Sequence, residues 1–347
     1  MSTSLPARSD RTAAVERFDF RSVHPRLRFG TASDRYAGWI GQIYPEGAYD
    51  TTARRRTLAG RRFEERKVPV ASVADYFQHF NVLEIDFTFY QPLLTDDNAP
   101  SRTLHTLRTY AAHAPADARF LVKAPQQYIA RSLRRGGDFV ANDTFLALDA
   151  YRTRFHAPLQ ECLGDRLAGI IFQQEYQRTA DSPSPQQNVD TLDAFFAPLA
   201  GDVPLHLELR SEHLLTDVYF DWLATRGLGF VFSHWTWLPM IREQWSLCDG
   251  RFTSGPDEAV ARLLTPRDMK YADAYAAAHP FDAPAEALAE TPQAHAMVLD
   301  TVALAYQALD ADVTLNVVAN NRAWGNAPDL ARTIAQRFLA EEEKRAA

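Results

Sequence analysis

Residues 80–90 read FNVLEIDFTFY. Val82, Leu83, Ile85, Phe87, Phe89 and Tyr90 give this run the β-branched and aromatic character of a buried strand. Glu84 and Asp86 interrupt it two residues apart, and a period of two puts both carboxylates on one face. A strand that is apolar over most of its length and acidic late on one face suits a sheet whose strand ends open onto a polar mouth. Working outward, similar short apolar runs occupy 26–32, 81–87, 118–124, 167–173, 204–210, 227–234, 259–264 and 312–320, with helical patterns between them. Strands alternating with helices imply βα units and parallel pairing. Eight such units are the tally of a TIM-type (β/α)8 barrel of the α/β class. An open doubly wound sheet would show a glycine-rich phosphate turn after its first strand. The stretch GTASDRYAGW, which follows here, lacks that spacing.

Capping residues place the helices. Ser72 precedes VADYFQHF, Asn142 or Asp143 precedes TFLALDAYRTRF, and Asp190 precedes TLDAFFAPL. Thr291 with Pro292 opens a long apolar helix, and a last helix begins at Pro328. The run AVARLL (259–264) is the least strand-like of the eight and could belong to a helix. Two stretches read as insertions, 48–70 in the first βα connection and 265–291 in the seventh. Both leave from strand C-termini, the face that builds the active site in this fold. Residues 1–25 read as a mobile tail and 26–345 as one barrel domain.

Composition narrows the classes. A chain of 347 residues suits one barrel with insertions, and 46% hydrophobic residues supply a large core. The net charge of −7 argues against a dedicated nucleic-acid binder, although a local basic patch would override it. Cys162 and Cys248 form neither a metal spacing nor a disulfide framework, so a cytoplasmic location is expected. No apolar run reaches membrane-spanning length, so no membrane association is expected.

The strand ends carry the chemistry. Glu84 and Asp86 lie late in the second strand, and Lys123 ends the third. Gln173 ends the fourth, and His206, Glu208 and Arg210 alternate with leucines on the fifth. Ser233 and His234 end the sixth, Arg262 lies in the seventh, and Asn316, Asn320 and Asn321 end the eighth. Two acids beside a lysine and an arginine can hold one carboxyl protonated and another ionised, as acid–base catalysis requires. The competing reading is a structural ion network in which Glu84, Asp86, Lys123, Glu208 and Arg210 neutralise one another.

Basic loops are the second signal. Arg54, Arg55, Arg56, Arg61, Arg62, Arg66 and Lys67 fall in the first insertion, and Arg131, Arg134 and Arg135 follow the third strand. They suggest a mouth that attracts an anionic small molecule or nucleic acid, the alternative being a solvated surface helix. Trp235, Trp237 and Tyr90 offer rings for stacking, or pack under loops. No metal-binding or phosphate-loop motif is present and no cofactor is expected, but His206, Glu208, Glu84 and His234 could gather a divalent metal from separate strands.

Several segments together resemble the YecE-like family, domain of unknown function 72. They are GTASDRYAGWIGQIYPEG, YFQHFNVLEIDFTFYQPL, FLVKAP, LHLELR and VVANNRAWGNAPDLA. The resemblance runs from about residue 26 to 338 and implies a TIM-type barrel. It also implies that Trp39, Tyr44, Pro45, Glu84, Phe89, Tyr90, Lys123, Glu208, Arg210, Asn320 and Asn321 hold family motif positions. Departures at Ser33–Tyr36, Asp86, Gln174–Glu175 and Leu263–Leu264 mark a divergent member. The resemblance supplies no activity. The residues suggest a hydrolase or lyase acting on an anionic substrate (a phosphorylated compound, a nucleic acid or an acidic sugar), with Glu84 and Glu208 as acid–base pair, aided by Lys123 and Asp86. Arg210, Asn320, Asn321, Tyr90, Arg262, His234 and Trp235 would bind the substrate. The alternative is a non-catalytic binder of a phosphorylated ligand or nucleic acid.

Overall fold

The alternating pattern closes on itself. The computed structural model describes residues 5–136, 138–199, 201, 203–254 and 258–346. The barrel strands are β1 (Leu27–Ala32), β2 (Val82–Ile85), β3 (Arg119–Lys123), β4 (Leu167–Gln173), β5 (Leu205–Glu208), β6 (Gly229–His234), β7 (Glu258–Leu263) and β8 (Thr314–Ala319). All eight pair in parallel, each with its neighbours in sequence, and β1 closes the ring on β8 through Leu27↔Leu315 to Thr31↔Ala319. The expected TIM-type barrel is therefore present, and the ambiguous run AVARLL is a true strand. Inside the ring, Val82, Leu121, Ile171, Val231, Val260 and Val318 pack as an apolar plug with Ala32 and Ala168. Outside it, Phe29, Leu83, Phe120, Phe172, Leu207, Phe230 and Leu315 meet the helices. Each such fully buried side chain contributes roughly 1.5–3 kcal/mol.

Local chemistry moved several boundaries. β2 stops at Ile85, two residues short of expectation. The Thr88 hydroxyl donates to the Ile85 carbonyl (3.2 Å) and the Lys123 carbonyl (2.7 Å), turning Phe87–Tyr90 into a short 3-10 helix. The helix expected after Asp190 begins at Pro185. Ser184 caps it, and Gln187 completes a capping box. Asn142 does not start a helix. Its amide donates to the carbonyls of Gln127 (2.7 Å) and Ala130 (2.6 Å) and braces the loop after β3. Ser72 precedes the helix Val73–His79 but spends its hydroxyl on Pro69. Thr291 does cap its helix, accepting from the Ala294 amide at 3.0 Å.

The N-terminal stretch is a correction. Arg8–Glu16 forms a helix docked on the final helix, Ala327–Ala346. Arg11 bonds the Val23 carbonyl (2.9 Å) and Glu342 (2.7 Å), and Val15 is fully buried. The segment shows few apolar residues because much of its anchoring is ionic. The first insertion is not a surface helix either. It is an antiparallel hairpin, Thr52–Leu58 with Arg61–Lys67. The seventh connection carries the helices Tyr271–Ala278 and Glu286–Ala289. Leu58 and Phe63 of the hairpin pack against the cluster of Tyr275, Ala278, Phe281 and Leu288, so the two insertions meet over the barrel.

Candidate functional site

Above the apolar plug, the inward side chains turn polar. Arg262 on β7 donates from Nε and Nη2 to the two carboxylate oxygens of Glu84 on β2, each at 2.7 Å. Its Nη1 reaches Glu208 on β5. Glu208 also accepts from Arg210 Nη2 (2.9 Å) and from the Ser233 hydroxyl (2.6 Å). Gln173 Oε1 accepts from both Lys123 Nζ (2.6 Å) and Arg210 (3.0 Å). All of these ionic groups are buried. Burial would raise the Glu208 carboxyl, but Arg210, Arg262 and Lys123 outweigh it and hold it at about 2. Lys123 goes the other way. Burial and then Arg262 lower it to about 7. The balance explains why: two carboxylates and two guanidiniums already cancel, so a Lys123 ammonium is the surplus charge. The lysine sits 4.0 Å from the Phe89 ring centroid, and Arg210 lies over Trp235 at 4.2 Å.

This network forms the floor of the barrel mouth, and a cavity of about 640 Å³ lies beside it, lined by none of the network's residues. One wall is the hairpin, with Arg54, Arg56, Glu64, Glu65, Arg66 and Lys67. The facing wall is the seventh connection, with Tyr271, Tyr275 and Phe281. Ser33, Tyr36, Asp86, Tyr90, Asn320, Asn321 and Arg322 come from the ends of β1, β2 and β8. The volume is in the range that encloses small molecules.

The walls are braced across the opening. Arg56 bonds Glu65 (2.8 Å) and the Tyr271 hydroxyl (3.0 Å), and Tyr275 donates to Glu65 at 2.7 Å. Asn321 is held from behind. Its Oδ1 accepts from Trp39 Nε1 (3.3 Å) and the Ala327 amide (2.7 Å). Its Nδ2 is buried with no protein acceptor, and so is Nε of Arg322. The Arg322 guanidinium lies over Tyr271 at 4.5 Å. Buried polar groups are normally satisfied. Asn321 Nδ2 and Arg322 Nε are two unsatisfied donors, on adjacent residues of the cavity lining.

The residues nominated from sequence separate into two sets. Asp86, Tyr90, Asn320 and Asn321 line the cavity. Glu84, Lys123, Glu208, Arg210 and Arg262 make the floor, with Trp235 stacked on it. Glu84 and Asp86, read as one face, are parted by the turn after Ile85. Asp86 accepts from the Ser33 hydroxyl at 3.3 Å instead. His234 is buried away from the cavity, its imidazole lowered to about 4 by burial and by Arg267. His206 lies deep in the barrel, cradled by Gly169 and Gly229. A Cβ on Gly229 would sit 2.2 Å from its Nδ1. The four histidine and glutamate residues considered for a metal are thus not gathered. Among the described residues no group of three or more His, Cys, Asp or Glu is placed to hold one. Arg131 stacks on Phe145, and the hairpin Ser132–Arg135 with Asp138–Ala141 adds no described residue to the cavity lining.

Sequence reasoning missed Tyr36, Tyr271, Tyr275 and Arg322. Arg322 directly follows the Asn320-Asn321 pair, which was the available signal. The tyrosines of the seventh connection carried none, because only folding brings that insertion against the hairpin.

Fold and mouth together define a TIM-type barrel protein with a polar cavity at the carboxyl ends of its strands. The family model described as "Protein of unknown function DUF72" matches residues 28–347, and the chain belongs to that family. This is the YecE-like family indicated by the motifs. Among solved structures, the chain is similar to a DUF72 family protein from Enterococcus faecalis V583. The two share 13% identity over 90% of this chain and 95% of that one, with a TM-score of 0.54. A DUF72 family protein from Thermotoga maritima MSB8 matches at 16% identity over 91% and 99% of the two chains, with a TM-score of 0.49. No curated protein matches the chain. No helix among the described residues is long and apolar enough to cross a membrane.

Proposed function

We propose that the protein binds an anionic small molecule in the mouth cavity, with the Glu84–Arg262–Glu208 network as a buried scaffold beside it. The observation that carries this reading is the basic lining of the cavity, where Arg54, Arg66 and Lys67 of the hairpin wall stand with Arg322 at the end of β8. Glu84 gives both oxygens to Arg262, and Glu208 is kept ionised, which suits a scaffold better than a proton donor. Catalysis on the bound compound is a second reading, favoured by one fact. Of the four residues first nominated as catalytic, only Asp86 lines the cavity. Asp86 would serve as base, and Arg322 would steady negative charge as it develops. Two unpaired cysteines, Cys162 and Cys248, suit the reducing conditions of a cytoplasmic location.

A thermal-shift panel of phosphorylated compounds and short oligonucleotides tests the reading. A ligand that binds only the folded state raises the melting temperature by mass action. The rise should be absent in Arg322→Gln. A panel without any shift, or a shift that survives in Arg322→Gln, contradicts the proposal. For the second reading, Asp86→Asn should keep binding and lose turnover.

A further inference from the structure

The aromatic lining narrows the ligand further, building on the reading of this cavity as an anion site. Tyr36 is packed against Trp39 (4.9 Å) and Phe281 (5.2 Å), and Tyr271 is covered by Arg322 and stacked with Tyr275. Tyr90 is different. It lines the cavity, yet 76% of it is exposed, and among the described residues its one ring neighbour is Phe89, edge-on at 5.5 Å. Tyr90 follows a turn fixed by Thr88, so its backbone is held while its ring face stays uncovered. A large aromatic left open at the rim of a pocket offers a stacking face.

The charges around that ring are ordered. Asp86 with Ser33 stands near the base of the turn, while Arg322 and Asn321 stand at the end of β8. Asp86 and Arg322 line the same cavity as Tyr90, so an acceptor and a cation share the space its ring faces. An anion is repelled by Asp86 and drawn to Arg322, which orients any ligand with one charged end.

We infer that the cavity takes a monophosphorylated compound bearing one flat ring, with the phosphoryl group seated against Arg322 and Asn321 and the ring stacked on Tyr90. A donor on the ring portion, an amine or hydroxyl, would face Asp86. The volume of about 640 Å³ holds a molecule the size of a nucleoside monophosphate and excludes a duplex.

Calorimetric titration with four probes tests this: inorganic phosphate, ribose 5-phosphate, phenyl phosphate and adenosine monophosphate. The two ring-bearing phosphates should bind about tenfold tighter than ribose 5-phosphate. Tyr90→Ala should remove that advantage and leave inorganic phosphate unchanged. Because Tyr90 is exposed, the variant should keep the wild-type melting temperature, which is measured alongside. Arg322→Gln should weaken all four probes. Equal affinity for ribose 5-phosphate and phenyl phosphate would overturn the inference while leaving the anion site standing. Failure of every probe to bind would overturn both. Tight binding of an oligonucleotide without binding of the mononucleotide would also overturn the inference.

Discussion

Replacing Arg262 by methionine should destabilise the protein by about 3–5 kcal/mol at pH 7, the usual effect of removing one partner from a buried ionic group. The magnitude follows from the floor. Three charge-assisted hydrogen bonds are lost, two to Glu84 and one to Glu208. Among the described residues no other side chain donates to the Glu84 carboxylate, which is fully buried. Glu208 keeps Arg210 and Ser233. Its carboxyl is held at about 2 against an ordinary 4.5, which corresponds to roughly 3 kcal/mol shared among all its partners. Because that folded value is depressed, the stabilisation is present above the unfolded value and lost as pH falls from about 4.5 through about 2. Arg262 supplies part of that stabilisation, so the deficit of the variant should shrink as pH falls from about 4.5 toward 2. Urea unfolding of both proteins across that pH range measures it. A loss below about 1 kcal/mol at pH 7, or a loss that does not change with pH, would refute the reasoning that Arg262 neutralises the floor.

Other outcomes follow from the same geometry. Lys123, lowered from 10.5 to about 7, binds a proton more readily when unfolded. Its penalty, on the order of 5 kcal/mol, is full below pH 7 and fades as pH rises toward 10.5. Lys123→Met should therefore be no less stable than wild type at pH 6 and should flatten that rise in urea titrations between pH 7 and 10. Ser233→Ala removes the 2.6 Å hydrogen bond to a buried carboxylate and should cost about 1.5–3 kcal/mol in thermal unfolding. Gly229→Ala drives a methyl into His206 and should cost roughly 1–3 kcal/mol. Adding His206→Ala should recover part of that loss, and a strictly additive double variant would argue against the contact.

The barrel was legible because its signals are local. Eight apolar runs with period-two polar residues at their ends required no knowledge of partners, and Glu84, Glu208 and Arg210 were found that way. Pairing was less legible. Arg262 and Glu84 lie 178 positions apart and meet because opposite sides of a closed ring face one axis. Asp86 was assigned to the wrong element because the Thr88 hydroxyl, not strand propensity, ends β2. The basic insertion was recognised as a charged feature of the mouth. Its hairpin shape, and the wall it forms with Tyr271 and Tyr275, depend on contacts between two insertions more than 200 residues apart, such as Arg56 with Tyr271. The docked N-terminal helix was missed for a similar reason, since Arg11 finds Glu342 at the far end of the chain.

A crystal structure determined after soaking with inorganic phosphate tests the central claim most directly. Anion density against Arg322 and Asn321, in a cavity walled by the Thr52–Lys67 hairpin, is the result the account predicts. An empty cavity in crystals that hold phosphate elsewhere on the chain would contradict it.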